Sequence, residues 1–145
     1  MNIMEKVRAF IRTYPPLAEN KLNVDFLPAD ACSYSVEAIP ANDVVRTYLD
    51  GSTVRQFLFV LASRESYGGE VLHQLENLGF YEAFAAWLYQ QNLQKNFPSL
   101  GEGKTVTKIE ATTPGYALST GENKARYQIQ CRMEFMQRSE KECQR

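Results

Sequence analysis

The stretch Ala125 to Phe135, A-R-Y-Q-I-Q-C-R-M-E-F, changes character at every step. Ala125, Tyr127, Ile129, Cys131, Met133 and Phe135 are apolar or amphipathic, and Arg126, Gln128, Gln130, Arg132 and Glu134 between them are polar. Successive side chains of a strand point to opposite faces, so the pattern specifies a strand with one face on a core. On a helix the same residues would be scattered around the axis. Upstream, Lys104 to Ala111 (K-T-V-T-K-I-E-A) is rich in β-branched residues, and Pro114-Gly115 and Thr120-Gly121-Glu122-Asn123 supply turn chemistry between the two. These features predict a long antiparallel hairpin with a large, regular polar face. Solvation and contact with a partner account equally for such a face.

The rest of the chain supplies more strands and a helical layer. Asn2 to Tyr14 places Ile3, Val7, Phe10 and Ile11 at helical spacing, with Asn2 as N-cap and Pro15-Pro16 as the stop. Leu22, Val24 and Phe26 alternate in a short strand ended by Pro28, and Ser33 to Ile39 alternates in a strand ended by Pro40. Val44 to Leu49 and Thr53 to Ala62 flank Asp50-Gly51, a dipeptide that tolerates the positive φ angles of a tight hairpin. Phe57 to Leu61 is apolar on both faces, as a central strand requires. After a polar, glycine-rich link from Arg64 to Gly69, the period becomes helical from Glu70 to Gln94, with a kink or a break into two helices expected at Gly79. Asn96 to Gly103 reads as loop. The expected architecture is one α+β domain over residues 1–136, a mostly antiparallel sheet with helices packed on one face, followed by a frayed polar tail, residues 137–145.

Composition narrows the chemistry. A chain of 145 residues with a formal charge of −1 and no Lys/Arg cluster offers no electrostatic case for nucleic-acid recognition. The three cysteines, Cys32, Cys131 and Cys143, have no metal-ligand spacing, and Cys131 falls on the apolar face of the last strand as a small hydrophobe. No apolar run reaches the roughly 18 residues of a membrane span, and the N-terminus lacks a signal-peptide pattern, so a cytoplasmic protein is expected. His73 is the only histidine, and it lies in a predicted helix without oriented partners. Gly68-Gly69 and Gly101-Glu102-Gly103-Lys104 match no phosphate loop, and the pairs Glu65/Glu70 and Glu76/Glu82 read as solvated helix-face charge. Phe80, Phe84 and Trp87 form a core stripe, while Tyr81 and Tyr89 lie off it and are the candidates for exposure. No catalytic, cofactor or metal constellation emerges, so the chain is expected not to be an enzyme.

Three stretches in this order, S-R-E-S-Y-G (Ser63 to Gly68), G-F-Y-E-A-F-A-A-W-L (Gly79 to Leu88) and A-R-Y-Q-I-Q-C-R-M (Ala125 to Met133), resemble the small tail-terminator or minor capsid proteins of phages and prophages of Gram-positive bacteria. The resemblance runs from about Met1 to Phe135 and rests on packing and turn signatures. It implies a structural virion protein: a ring, usually of six copies, that caps the tail tube and joins it to the head connector. The implied partners are further copies of the chain, the tail tube protein and the head–tail connector protein. The implied location is the host cytoplasm during assembly and then the virion tail. Related sequences have carried an antibiotic-resistance label, but acetyl transfer to chloramphenicol uses an H-x-x-x-D-G motif, and Q-L-E-N-L-G follows His73 here.

A ring subunit needs two unlike surfaces, because a heterologous contact repeated by rotation closes on itself. The candidate surfaces are the Asp50-Gly51 turn, the tip from Pro114 to Lys124, and the polar face made by Arg126, Gln128, Gln130, Arg132 and Glu134. The competing expectation is a small cytoplasmic ligand-binding domain or enzyme with a pocket between the sheet and the Trp87 helix.

Overall fold

A computed structural model describes residues 2–17, 21–29, 33–66, 71–120 and 124–139, with backbone alone for residues 66, 71–74, 119 and 120. In chain order the elements are α1 (Ile3–Ile11), a 3-10 turn (Pro15–Leu17), β1 (Leu22–Val24), β2 (Ser33–Ile39), β3 (Val44–Thr47), β4 (Thr53–Ser66), α2 (Val71–Gln94), β5 (Lys104–Ala111), β6 (Tyr116–Thr120) and β7 (Lys124–Gln137). Two strands of 14 residues, β4 and β7, form the axis of the sheet. They pair antiparallel over their full length, from Thr53 opposite Gln137 to Ser66 opposite Lys124. Each then carries two shorter strands on its outer side. β2 and β3 divide the free edge of β4, and β6 and β5 divide that of β7, giving the order β1-β2-β4-β7-β5 with β3 and β6 alongside. The β1–β2 pair is parallel and makes the sheet mixed; the remaining pairs are antiparallel.

The alternation of β7 sets the layers. Ala125, Tyr127, Ile129, Cys131, Met133 and Phe135 are all buried, in one cluster with Phe59 and Leu61 of β4 and Val36 of β2. α1 adds Val7, Phe10 and Ile11 to that cluster, and α2 adds Tyr81, Phe84 and Leu88. Both helices therefore cover the same face of the sheet, as expected. Asn2 caps α1 as expected, its Oδ1 accepting from Glu5 N–H at 2.8 Å. Phe10, Tyr14, Phe84 and Trp87 meet ring against ring at 5.2–5.9 Å and fill the space beside the indole.

Three expectations are corrected. α2 runs unbroken through Gly79, which is exposed and whose missing Cβ would meet nothing within 4 Å. An outward glycine weakens a helix by about 1 kcal/mol against alanine without stopping it once tertiary packing holds the opposite face. The bridge before β7 is not only turn: Tyr116–Thr120 forms an additional strand on β7, so β5 pairs only with residues 131–137. Tyr81 is fully buried, not exposed. At the C-terminal end β7 runs to Gln137, Arg138 N–H donates to the Gly103 carbonyl at 2.8 Å and Ser139 is buried. The expected tail beyond it, with Cys143, lies outside the described residues, as do Cys32, Gly68-Gly69 and the turn at residues 121–123.

Candidate assembly surface

The polar side of β7 looks away from the helices, and its position in the sheet shapes what it can do. β7 is internal, so its polar side chains lie between those of β4 and of β5 or β6 and bond across them. Arg126 reaches over β4 to Glu37 on β2 in a forked pair at 2.8 and 3.2 Å, above the small, buried Ala62. Its guanidinium also donates to Gln128 Oε1 at 3.0 and 3.2 Å. The Tyr116 hydroxyl accepts from Nε2 of Gln128 at 2.7 Å and of Gln130 at 3.0 Å. Further along, Arg132 donates to Gln56 Oε1 at 2.8 Å and to Glu134 at 2.6 Å, with Glu110 at 3.8 Å. Gln128 is only 7% exposed and the Arg126–Glu37 pair about one-fifth exposed. A forked, partly desolvated arginine–carboxylate pair is geometrically rigid, unlike a solitary surface ion pair. Residues 25–29 cross one end of this face: Phe26 N–H donates to Ser35 Oγ at 3.2 Å, and the Ala29 carbonyl accepts from Lys124 at 3.1 Å.

Asp50 and Gly51 stand at the tip of the β3–β4 hairpin. Gly51 N–H donates to the Tyr48 carbonyl at 3.0 Å and Tyr48 N–H to the Ser52 carbonyl at 2.8 Å. Only Gly51 takes a positive φ, 91°. This is the three-residue hairpin in which a turn is closed by a left-handed glycine, not the two-residue turn that Asp-Gly suggests. Asp50 Oδ1 accepts from both the N–H (2.9 Å) and the hydroxyl (2.6 Å) of Ser52. These bonds hold the Asp50 carboxyl below the usual carboxylate range and fix the turn. Leu49 projects from that fixed turn fully exposed. Tyr48, Val45 and Met136 are also exposed and line adjoining hollows with it. Sequence reasoning selected Asp50 and Gly51 but missed this apolar group. The available signal was a leucine at a turn position where polar residues prevail.

On the helix side, two features depend on residues far apart in the chain. The Tyr81 hydroxyl meets Ser63 Oγ at 2.5 Å and donates to the Tyr127 carbonyl at 3.1 Å, at the β4–β7 seam. The Gly115 backbone lies against the same ring, so closely that a Cβ there would fall 2.3 Å from the tyrosine Cβ. At the outer edge of β5, the Asn92 side chain behaves as a short piece of strand. Its Oδ1 accepts from Ile109 N–H at 3.0 Å, and its Nδ2 donates to the carbonyls of Ile109 and, at 2.9 Å, Leu88. The edge is thereby closed to another strand at Ile109. Beside it runs an open groove of about 410 Å³ between α2 and β5, with Ala85, Leu88, Tyr89 and Ala111 in its walls. The opposite edge is closed in similar ways: Arg8 Nε donates to the Leu22 carbonyl at 2.8 Å, and Asp25 Oδ1 accepts from Ala38 N–H at 2.9 Å.

Among the described residues no group of three His, Cys, Asp or Glu side chains could hold a metal. Among the same residues no helix is long and apolar enough to cross a membrane. Burial pushes the Tyr81 phenol and the Cys131 thiol up, so neither is a nucleophile at neutral pH. The His73 side chain is outside the described residues. Compared with known proteins, the chain matches no family and no curated sequence.

Proposed function

We propose that the protein is a structural subunit of a phage or prophage virion, a tail terminator that forms a ring on the tail tube and joins it to the head connector. The sequence resemblance supplies that assignment, and the observation that carries it is the apolar group on the β3–β4 tip. A turn fixed by Asp50 and Ser52 presents Leu49 wholly to water with Tyr48, Val45 and Met136 beside it. Single exposed apolar residues are ordinary, but a contiguous set on a rigid projection is the form a protein contact takes. Burying Leu49 alone contributes about 1.5–3 kcal/mol to whichever contact covers it. The satisfied polar layer on β7 adds a rigid face suited to a fixed partner, and Arg126, Gln128, Gln130, Arg132 and Glu134 belong to the proposed contact region. Electron microscopy and native mass spectrometry on concentrated protein test the reading. Closed rings, six-fold in the reading taken here, are the expected result. A protein that stays monomeric at every concentration, and in the presence of the tail tube protein, would overturn it.

A further inference from the structure

β5 ends the strand order of the sheet, and its outer edge is met by one side chain of α2. Uncovered strand edges pair with other chains. We infer that Asn92 guards this edge against the β5 strand of a second copy, which would otherwise pair with it antiparallel about a two-fold axis at Ile109. The inference is independent of the ring-forming reading. An isologous contact of this kind closes at two copies, whereas a ring needs a heterologous one.

Three observations carry it. First, the Asn92 carboxamide takes both backbone groups of a single residue: Oδ1 accepts from Ile109 N–H at 3.0 Å, and Nδ2 donates to the Ile109 carbonyl. A hydrogen-bonded pair in an antiparallel ladder exchanges these same two bonds, so Ile109 facing its own counterpart needs the groups that Asn92 holds. Second, β5 is its own complement. With Ile109 at the axis, Lys108 of each copy stands opposite Glu110 of the other. Both side chains lie on the polar face, across from Glu134 and Arg132 of β7, and are 45% and 39% exposed. The 3.4 Å contact between Lys108 and Glu110 stays in place within each copy. The two contacts then lie head to tail, four charges alternating in sign. A slip of two residues either way sets Lys108 against Lys108 or Glu110 against Glu110, so charge selects this one register. Third, an open groove of about 410 Å³ separates α2 from this edge. Its mixed lining, Asn92, Thr107, Lys108 and Glu110 beside Leu88 and Tyr89, suits an extended backbone that needs hydrogen-bond partners.

The experiment is sedimentation velocity at a dilution where the parent is monomeric, with circular dichroism confirming that each variant folds. Asn92→Leu keeps the size of the side chain and frees both groups of Ile109. It should dimerise, associating at least tenfold more tightly than the parent. In that background Glu110→Lys sets like charges opposite each other, as does Lys108→Glu, and each double variant alone should be monomeric. Mixed in equal amounts, the two should form a dimer and nothing larger. Loss of an anchor between α2 and β5 would not produce that pattern. Should Asn92→Leu not fold, Asn92→Ser, too short to bridge both groups, takes its place; if neither folds, Asn92 is an anchor and the inference falls. A folded Asn92→Leu as monomeric as the parent, or a dimer indifferent to the charge changes, also overturns it. A parent that forms no ring at any concentration refutes the ring-forming reading and leaves this one standing.

Discussion

Tyr81→Phe removes a single oxygen from the middle of the core, and its cost can be worked from the partners left behind. The phenol joins Ser63 Oγ on β4 to the Tyr127 carbonyl on β7, and all three groups are out of water. Phenylalanine keeps the ring, its edge contact with Phe80 and its fit against Gly115, so no cavity opens. What changes is that a fully buried hydroxyl and a carbonyl each lose a partner. An ordinary hydrogen bond is worth about 0.5–1.5 kcal/mol net, but a buried group left unsatisfied costs about 1–3 kcal/mol. The Ser63 hydroxyl can rotate, so the expected loss is about 1.5–3 kcal/mol, a fall of roughly 3–12 °C in Tm for a chain of this size. Adding Ser63→Ala removes the orphaned hydroxyl, so the double variant should be less destabilised than the sum of the singles by about 1 kcal/mol. Urea titration of the four proteins, with equal slopes, measures this directly. A Tyr81→Phe loss under about 0.5 kcal/mol, or simple additivity with Ser63→Ala, would refute the claim that this bond network holds the seam.

Gly115→Ala places a methyl group 2.3 Å from the Tyr81 Cβ, so the β5–β6 link or the tyrosine must shift. A loss of about 1–3 kcal/mol in the same titration is expected, and a neutral result would show that the link does not rest on the ring. Stability should also fall at alkaline pH. The Cys131 thiol and the Tyr81 phenol are held protonated in the fold, so their contribution is intact below the unfolded pKa of each group. It declines by about 1.4 kcal/mol per pH unit per group above roughly pH 8.5 for the thiol and pH 10 for the phenol. Denaturant midpoints measured between pH 7 and 10 should show this limb, and Cys131→Ala should remove the part that begins near the thiol range.

What the sequence disclosed, it disclosed through local period and punctuation. β7 alternates so strictly that its two faces, and the burial of its apolar one, follow from eleven letters, and Asn2 marks the start of α1 by chemistry local to the helix. α1 ends at Ile11, however, before the expected stop at Pro15-Pro16. What it concealed was set by residues distant in the chain. α2 exposes Leu75, Leu78, Tyr89 and Leu93 while burying Tyr81, Phe84 and Leu88, so its apolar residues run around the axis and single out no one face. The burial of Tyr81 is decided by Ser63, Tyr127 and Gly115, none within fifteen residues of it. Asn92 resembles any polar residue near a helix end, and only the approach of Ile109 makes it an edge cap. At the surface, Asp50-Gly51 marks the hairpin by its backbone chemistry, but the fully exposed Leu49 beside it sits at a turn position where polar residues prevail. The polar face of β7 was legible as a face; that its members satisfy one another across β2, β4, β5 and β6 was not.

The full-length pairing of β4 with β7 also governs how the chain must fold. Its paired residues lie about 60 to 80 positions apart in sequence, and the remaining strands except β1, which pairs with β2, attach to one or other of these two. Ordering such contacts requires large loops to close before the sheet stabilises them, so folding belongs to the slow, millisecond-to-second class of non-local topologies. Until β7 arrives, β4 presents Phe57 to Ala62 with apolar groups on both sides and one whole edge unpaired. That segment is the one most apt to associate wrongly with its counterpart on another chain. In a cell making many copies at once, the yield of native subunit is set by the race between β7 reaching its place and a second β4 reaching it first.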